Sequence, residues 1–190
     1  FLIGFSVVLA AVVPGCTRRT PAEAAADDTP AETPCTDTWT GVQQWGVVGG
    51  SFYVNSSAVD ASCNLFVGGY TDRSYDGNTI VGDFDFFLSK YDSTGTLVWT
   101  QMMGVASEPT YGNAIATDLS GNIYITGFTS GDLDGETLTG TSDLFLVKYD
   151  TDGTKLWSTL LGVATKDTWP YSVATDASEN VIVIGQTTGG

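Results

Sequence analysis

The sequence predicts an all-β chain, a β-propeller fragment built of four-stranded antiparallel blades and forming an open arc of about two and a half blades. Three observations predict it. First, one segment recurs without insertion: Asp60-Ala-Ser-Cys-Asn64-Leu-Phe-Val-Gly-Gly69-Tyr-Thr71, Asp118-Leu-Ser-Gly-Asn122-Ile-Tyr-Ile-Thr-Gly127-Phe-Thr129 and Asp176-Ala-Ser-Glu-Asn180-Val-Ile-Val-Ile-Gly185-Gln-Thr187 follow one another at an offset of 58 residues. Second, the runs between the punctuating residues are short, β-branched and aromatic, and no window carries a helical period. Third, the connectors place an acceptor side chain at the turn start and Gly or Asn where a positive φ is wanted, as in Asp118 to Asn122 and Asp150 to Thr154. One such unit is a small sheet that cannot bury both faces alone, and stacking units around an axis buries them.

Residues 1–15 come first and read as a lipoprotein signal peptide whose charged start is missing. Phe1 to Val13 is an uncharged apolar run, too short to span a membrane and of the length of a signal h-region. Val13-Pro-Gly-Cys16 follows it and resembles the lipobox of bacterial lipoproteins. That resemblance implies lipidation of Cys16 and, because Thr17 and not Asp comes next, an anchor in the outer membrane or at the cell surface. Residues 16–38 hold no large apolar side chain and are expected to be a disordered Pro/Ala/Thr-rich tether.

Residues 39–190 carry the repeats. Residues 38–47 are expected to supply an outer strand ahead of the first blade, with blades at about 57–100 and 113–161 and a half blade at 172–190. In the most complete copy the strands are expected at 114–117, 123–128, 144–149 and 155–161. A closed propeller needs about 4 to 8 blades, so the natural protein is expected to continue beyond residue 190.

The pattern Asp-x-Ser-Gly-Asn-x-Tyr-x-Thr-Gly-x-Thr, then Asp143-Leu-Phe-Leu-Val-Lys148-Tyr-Asp150-x-x-Gly153-x-x-x-Trp157, then Leu161-Gly162, resembles the bacterial SBBP β-propeller repeat over about residues 40–190. Cys63 and Glu179 depart from it at the turn glycine, and Ile182 departs at the second-strand aromatic. These departures leave the turn type of two copies open.

Composition excludes several chemistries. With 22 acidic against 7 basic residues and a formal charge of −15, the chain has no basic cluster beyond Arg18-Arg19, so nucleic acid is not an expected partner. The absence of histidine removes the commonest general base and the commonest zinc ligand. Carboxylate chemistry survives.

Each candidate site has two readings. Asp132, Asp134 and Glu136 lie in a long acidic connection whose Asp-x-Asp-Gly spacing is a fragment of a calcium loop; the other reading is a solvated acidic loop. Asp60, Asp118 and Asp176 are repeat turn residues that cap backbone amides, with a carboxylate ring on one rim as the alternative. Trp99, Trp157 and Trp169 read as packing between blades, or as an aromatic platform for sugars or peptides. Lys90 and Lys148 read as surface or inter-blade charges, and Cys35 and Cys63 as either a disulfide in an oxidising compartment or two separate thiols.

No catalytic residue is assigned. The expected function is a non-enzymatic cell-envelope propeller lipoprotein, a scaffold or binding module for polysaccharide or protein, needing no cofactor unless calcium binds. The alternative is an envelope enzyme of the propeller lyase, glycosidase or quinoprotein kind, with its site on the rim or in blades beyond this stretch. Asp132 and Glu136 are its candidates because they break the repeat.

Overall fold

The computed structural model describes residues 8–11 and 42–188, and every regular element among them is a strand. Val8–Ala11 (β1) pairs antiparallel with Val42–Trp45 (β2), Val8 opposite Trp45. Phe52–Val59 (β3), Leu65–Thr71 (β4), Asp85–Tyr91 (β5) and Leu97–Met103 (β6) form one antiparallel sheet in chain order. Thr110–Thr117 (β7), Ile123–Thr129 (β8), Asp143–Tyr149 (β9) and Lys155–Leu161 (β10) form the next. Thr168–Thr175 (β11) and Val181–Thr187 (β12) pair as a two-stranded sheet. The described chain is an open propeller arc of two blades and the inner half of a third.

Two features differ from the sequence reading. The first strand of each blade begins earlier than residues 57 and 113, because β3 and β7 contain a bulge that breaks the apolar alternation near their starts. Four residues of the apolar leading run, expected to stand apart from the repeats, instead make β1 beside β2; an apolar run satisfies its backbone groups by pairing along an open strand edge. Cys16, Cys35 and the rest of the expected tether lie outside the described residues.

The turns follow from local chemistry. Asp118 Oδ1 accepts the Asn122 N–H at 2.8 Å and its Oδ2 accepts Asn122 Nδ2 at 2.7 Å, closing a three-residue loop whose last member, Gly121, sits at φ +81°. Asp60 and Asp176 make the same two bonds to Asn64 and Asn180. Cys63 and Glu179 take the left-handed position at φ 65° and 62°, so those turns keep the shape of the glycine copy.

The core lies between blades. Phe66, Phe86 and Leu88 of the first blade pack with Ile115, Ile125, Phe145 and Val147 of the second, and Phe86 stacks on Phe145 at 5.1 Å. Ala114 and Tyr124 of the second pack with Val173 of the half blade. Polar contacts recur with the repeat: Thr117 Oγ1 donates to the Val59 carbonyl at 3.2 Å, and Thr175 Oγ1 to the Thr117 carbonyl at 2.7 Å.

The outermost strand docks the next blade through Trp99. Its ring lies flat on Gly153 in the Asp150–Thr154 hairpin, its Nε1 donates to the Thr151 carbonyl at 3.3 Å, and Lys90 Nζ donates to the same carbonyl at 2.7 Å. Trp157 holds the equivalent place in the second blade, where no such hairpin covers it among the described residues, and it is 40 % exposed. Trp99→Ala is therefore expected to cost about 2 kcal/mol, read as a shift in urea midpoint, and an unchanged midpoint would show that the ring does not dock the next blade.

Candidate functional site: an aromatic groove at the bulged end of the blades

The site is built where the first strand of each blade is bulged. The bulges fall between Val54 and Ser56, Gly112 and Ala114, and Pro170 and Ser172, leaving Asn55, Asn113 and Tyr171 without a ladder partner. Opposite them the second strand carries Gly69, Gly127 and Gly185. A Cβ on Gly69 or Gly127 would lie 1.8 Å from the Tyr53 or Tyr111 carbonyl oxygen, so glycine is what lets the strands close at the bulge.

The bulged asparagines bridge blades. Asn55 Nδ2 donates to the Gly112 carbonyl at 2.8 Å, and Asn113 Nδ2 to the Pro170 carbonyl at 3.0 Å. Each bond uses the side-chain N–H, and neither side-chain oxygen accepts a hydrogen bond among the described residues, while both asparagines line the groove described below.

Around them runs a row of rings. Tyr53 lies 4.8 Å from Tyr70, Tyr70 is edge-on to Tyr111 at 4.7 Å, Tyr111 is 4.9 Å from Phe128, and Phe128 is 6.1 Å from Trp169. Phe84 fills the angle between Tyr70 and Tyr111. Trp169 is held by its Nε1, which donates to Ser142 Oγ at 3.0 Å. The rings are half-buried, so the row is neither core nor free surface. Between them opens a groove of about 370 Å3 lined by Asn55, Tyr70, Tyr111, Asn113 and Phe128. Burial raises the Tyr70 and Tyr111 hydroxyls above the ordinary phenol value, with neighbouring phenols adding at Tyr70 and Asp83 adding at Tyr111. Both stay protonated as donors throughout the neutral range.

The other expected sites lie elsewhere. Asp60, Asp118 and Asp176 cap their turns at the opposite end of the same strands, each engaged with its own Asn. Burial pushes the Asp118 carboxyl up, but bonds from Asn122 and the Tyr124 hydroxyl, together with the Lys148 charge, outweigh it and hold it below 3.8. A lowered carboxyl contributes stability above its unfolded value that is lost as pH falls through its folded value. Acid titration is thus expected to show unfolding setting in below about pH 4, with a shallower pH dependence in Asp118→Asn. Identical acid profiles for the two proteins would count against this capping.

Asp134 and Gly135 are the two left-handed residues, φ 57° and 86°, of a type I′ turn closed between Leu133 and Glu136. Asp76 and Gly77 repeat it at 49° and 77° between Tyr75 and Asn78. The turn accounts for the Asp-Gly spacing without a cation. Asp134 pairs with Lys155 and accepts from Ser158 Oγ, while Asp132 accepts the Leu138 N–H at 2.8 Å. No group of three or more acidic or Cys side chains able to hold a metal occurs among the described residues.

Of Trp99, Trp157 and Trp169, only Trp169 joins the row of rings beside the groove. Tyr53 and Tyr111 occupy the repeat position of Trp169, whereas Tyr70, Phe128, Asn55 and Asn113 join the site only in the fold; the one local signal for the asparagines is the i, i+2 spacing that Tyr53-x-Asn55 and Tyr111-x-Asn113 share at the 58-residue offset. Cys63 is disulfide-bonded, while Cys16 and Cys35 lie outside the described residues.

Residues 98–134 and 156–190 match the family model for SBBP, a β-propeller repeat. Comparison with curated proteins gave no match.

Proposed function

Since the chain belongs with the proteins built of SBBP β-propeller repeats, we propose that it is a non-enzymatic binding module of the bacterial cell envelope that presents the aromatic groove at the bulged end of its blades to a ligand. The observation that carries this reading is the division of labour among the repeated residues. Turn carboxylates and strand glycines are consumed by backbone geometry, whereas the row from Tyr53 to Trp169 is continuous over three sheets and keeps its rings half-exposed. Half-exposed aromatic rows beside unspent amide groups are what binding surfaces present.

Anchoring is part of the proposal, and processing at Cys16 would remove residues 1–15 and with them β1, leaving β2 unpaired on that side. Val13-Pro-Gly-Cys16 supplies the lipidation motif, and the Cys63 disulfide ties the leading segment to the turn between β3 and β4, at the far end of the strands from Tyr53 and Tyr70. An anchor leaving from that rim turns the groove away from the membrane. A lipidated Cys16 has no sulfur free for a disulfide, so peptide mapping without reductant is expected to find Cys35 joined to Cys63. A Cys16–Cys63 peptide would sink the lipid anchor. For the binding role, immobilised protein is expected to retain a purified envelope glycan or protein that Tyr111→Ala releases, and turnover of any bound substrate would overturn the non-enzymatic reading.

A further inference from the structure

We propose that the groove binds a neutral, hydroxyl-rich glycan chain whose rings stack on Tyr70 and Tyr111 and whose hydroxyls bond the Asn55 and Asn113 amide oxygens. This deepens the binding-module reading and rests on it. The lining is the first reason: all five residues are uncharged, two offer phenolic hydroxyls, two offer amides and one is hydrocarbon. A pyranose has that same mixture, an apolar C–H face and a polar equator. The second reason is charge. A formal charge of −15, with Asp83 felt at the Tyr111 hydroxyl, turns polyanions away, and the lining holds no carboxylate to replace the water that a bound cation would lose. A neutral partner is the one that this charge distribution complements.

Periodicity is the third reason. Tyr53-x-Asn55 and Tyr111-x-Asn113 put the same ring and amide pair on consecutive blades, and Trp169-x-Tyr171 continues the series with two rings. Two like subsites side by side suit a ligand that itself repeats. Prepaid contacts assist: the asparagine amides are already immobilised by the Gly112 and Pro170 carbonyls, so little side-chain entropy is lost on binding.

The test is calorimetric titration of the full chain with three neutral hexasaccharides (cello-, laminari- and maltohexaose), a hexameric polyuronate and an arginine-rich hexapeptide. At least one neutral hexasaccharide is expected to bind with an affinity that changes less than twofold between about 50 mM and about 500 mM salt. Tyr111→Ala is expected to weaken it by roughly tenfold, one lost stacking contact. Should Tyr111→Ala lose its circular-dichroism spectrum, Tyr53→Ala at the 47 % exposed end of the row, with protection of wild-type tyrosine fluorescence from acrylamide by the sugar, gives the same answer. Groove-dependent binding of the peptide or the polyuronate alone would overturn the glycan assignment and leave the module reading standing. No binding that responds to these variants, by any of the five probes, would overturn both.

Discussion

Gly127→Ala is expected to destabilise the propeller by more than about 3 kcal/mol, a fall in melting temperature of about 10 °C. Its Cβ would arrive 1.8 Å from the Tyr111 carbonyl oxygen and 2.6 Å from Cζ of Phe145. Neither neighbour can yield. The carbonyl belongs to β7 beside the bulge that aims Asn113, and Phe145 is wholly buried and stacked on Phe86 of the previous blade. Gly135→Ala is the control: it sits at φ +86° with nothing within 4 Å, so only backbone strain of about 1 kcal/mol is expected. Urea unfolding of both variants with unchanged slope measures the contrast, and similar midpoints would mean that β7 and β8 are not pinched at the bulge.

Asp143→Ala is expected to cost about 3 kcal/mol by a different route. This carboxylate is fully buried, accepts the Thr139 N–H at 2.7 Å and the Gly140 N–H at 2.8 Å, and so fixes the loop that leads into β9. Removing it leaves both of these part-buried N–H groups without their acceptor. Gly162 reports on the same group, since a Cβ there would lie 1.8 Å from Asp143 Oδ1. Gly162→Ala alone is expected to be costly and, in the Asp143→Ala background, close to neutral, a coupling of about 2 kcal/mol. Additive losses would show that the carboxylate does not fill the space above Gly162. Asp85, held by the Val81 and Gly82 amides and facing Gly104, should behave alike in the first blade.

The turns and strands were legible because their causes are local. An Asp followed four residues later by Asn closes its loop whatever surrounds it, and the two copies lacking the turn glycine confirm the point: Cys63 and Glu179 accept the left-handed backbone because Asp60 and Asp176 make the same bonds as Asp118. The Asp134-Gly135 pair was ambiguous for the opposite reason. Two residues suit a calcium loop or a type I′ turn equally, and the choice depends on where Lys155 and Ser158 arrive from the strand after next.

The groove was harder to see. Asn55 and Asn113 interrupt the apolar alternation, which reads as strand ends until the bulge shows them inside β3 and β7. Trp99 likewise shows nothing of its partner in its sequence context, since the hairpin that lies over its ring comes from the following blade.

From the sequence alone followed the all-β class, the 58-residue unit, the four strands within it and the chemistry of nearly every turn, because each depends on residues close together in the chain. Only the tertiary structure decided that Tyr53, Tyr70, Tyr111, Phe128 and Trp169 form one row and that the asparagines between them bridge blades. Those contacts join positions some 58 residues apart, and the distance between them is set by how one sheet packs on the next, a quantity that no local pattern carries.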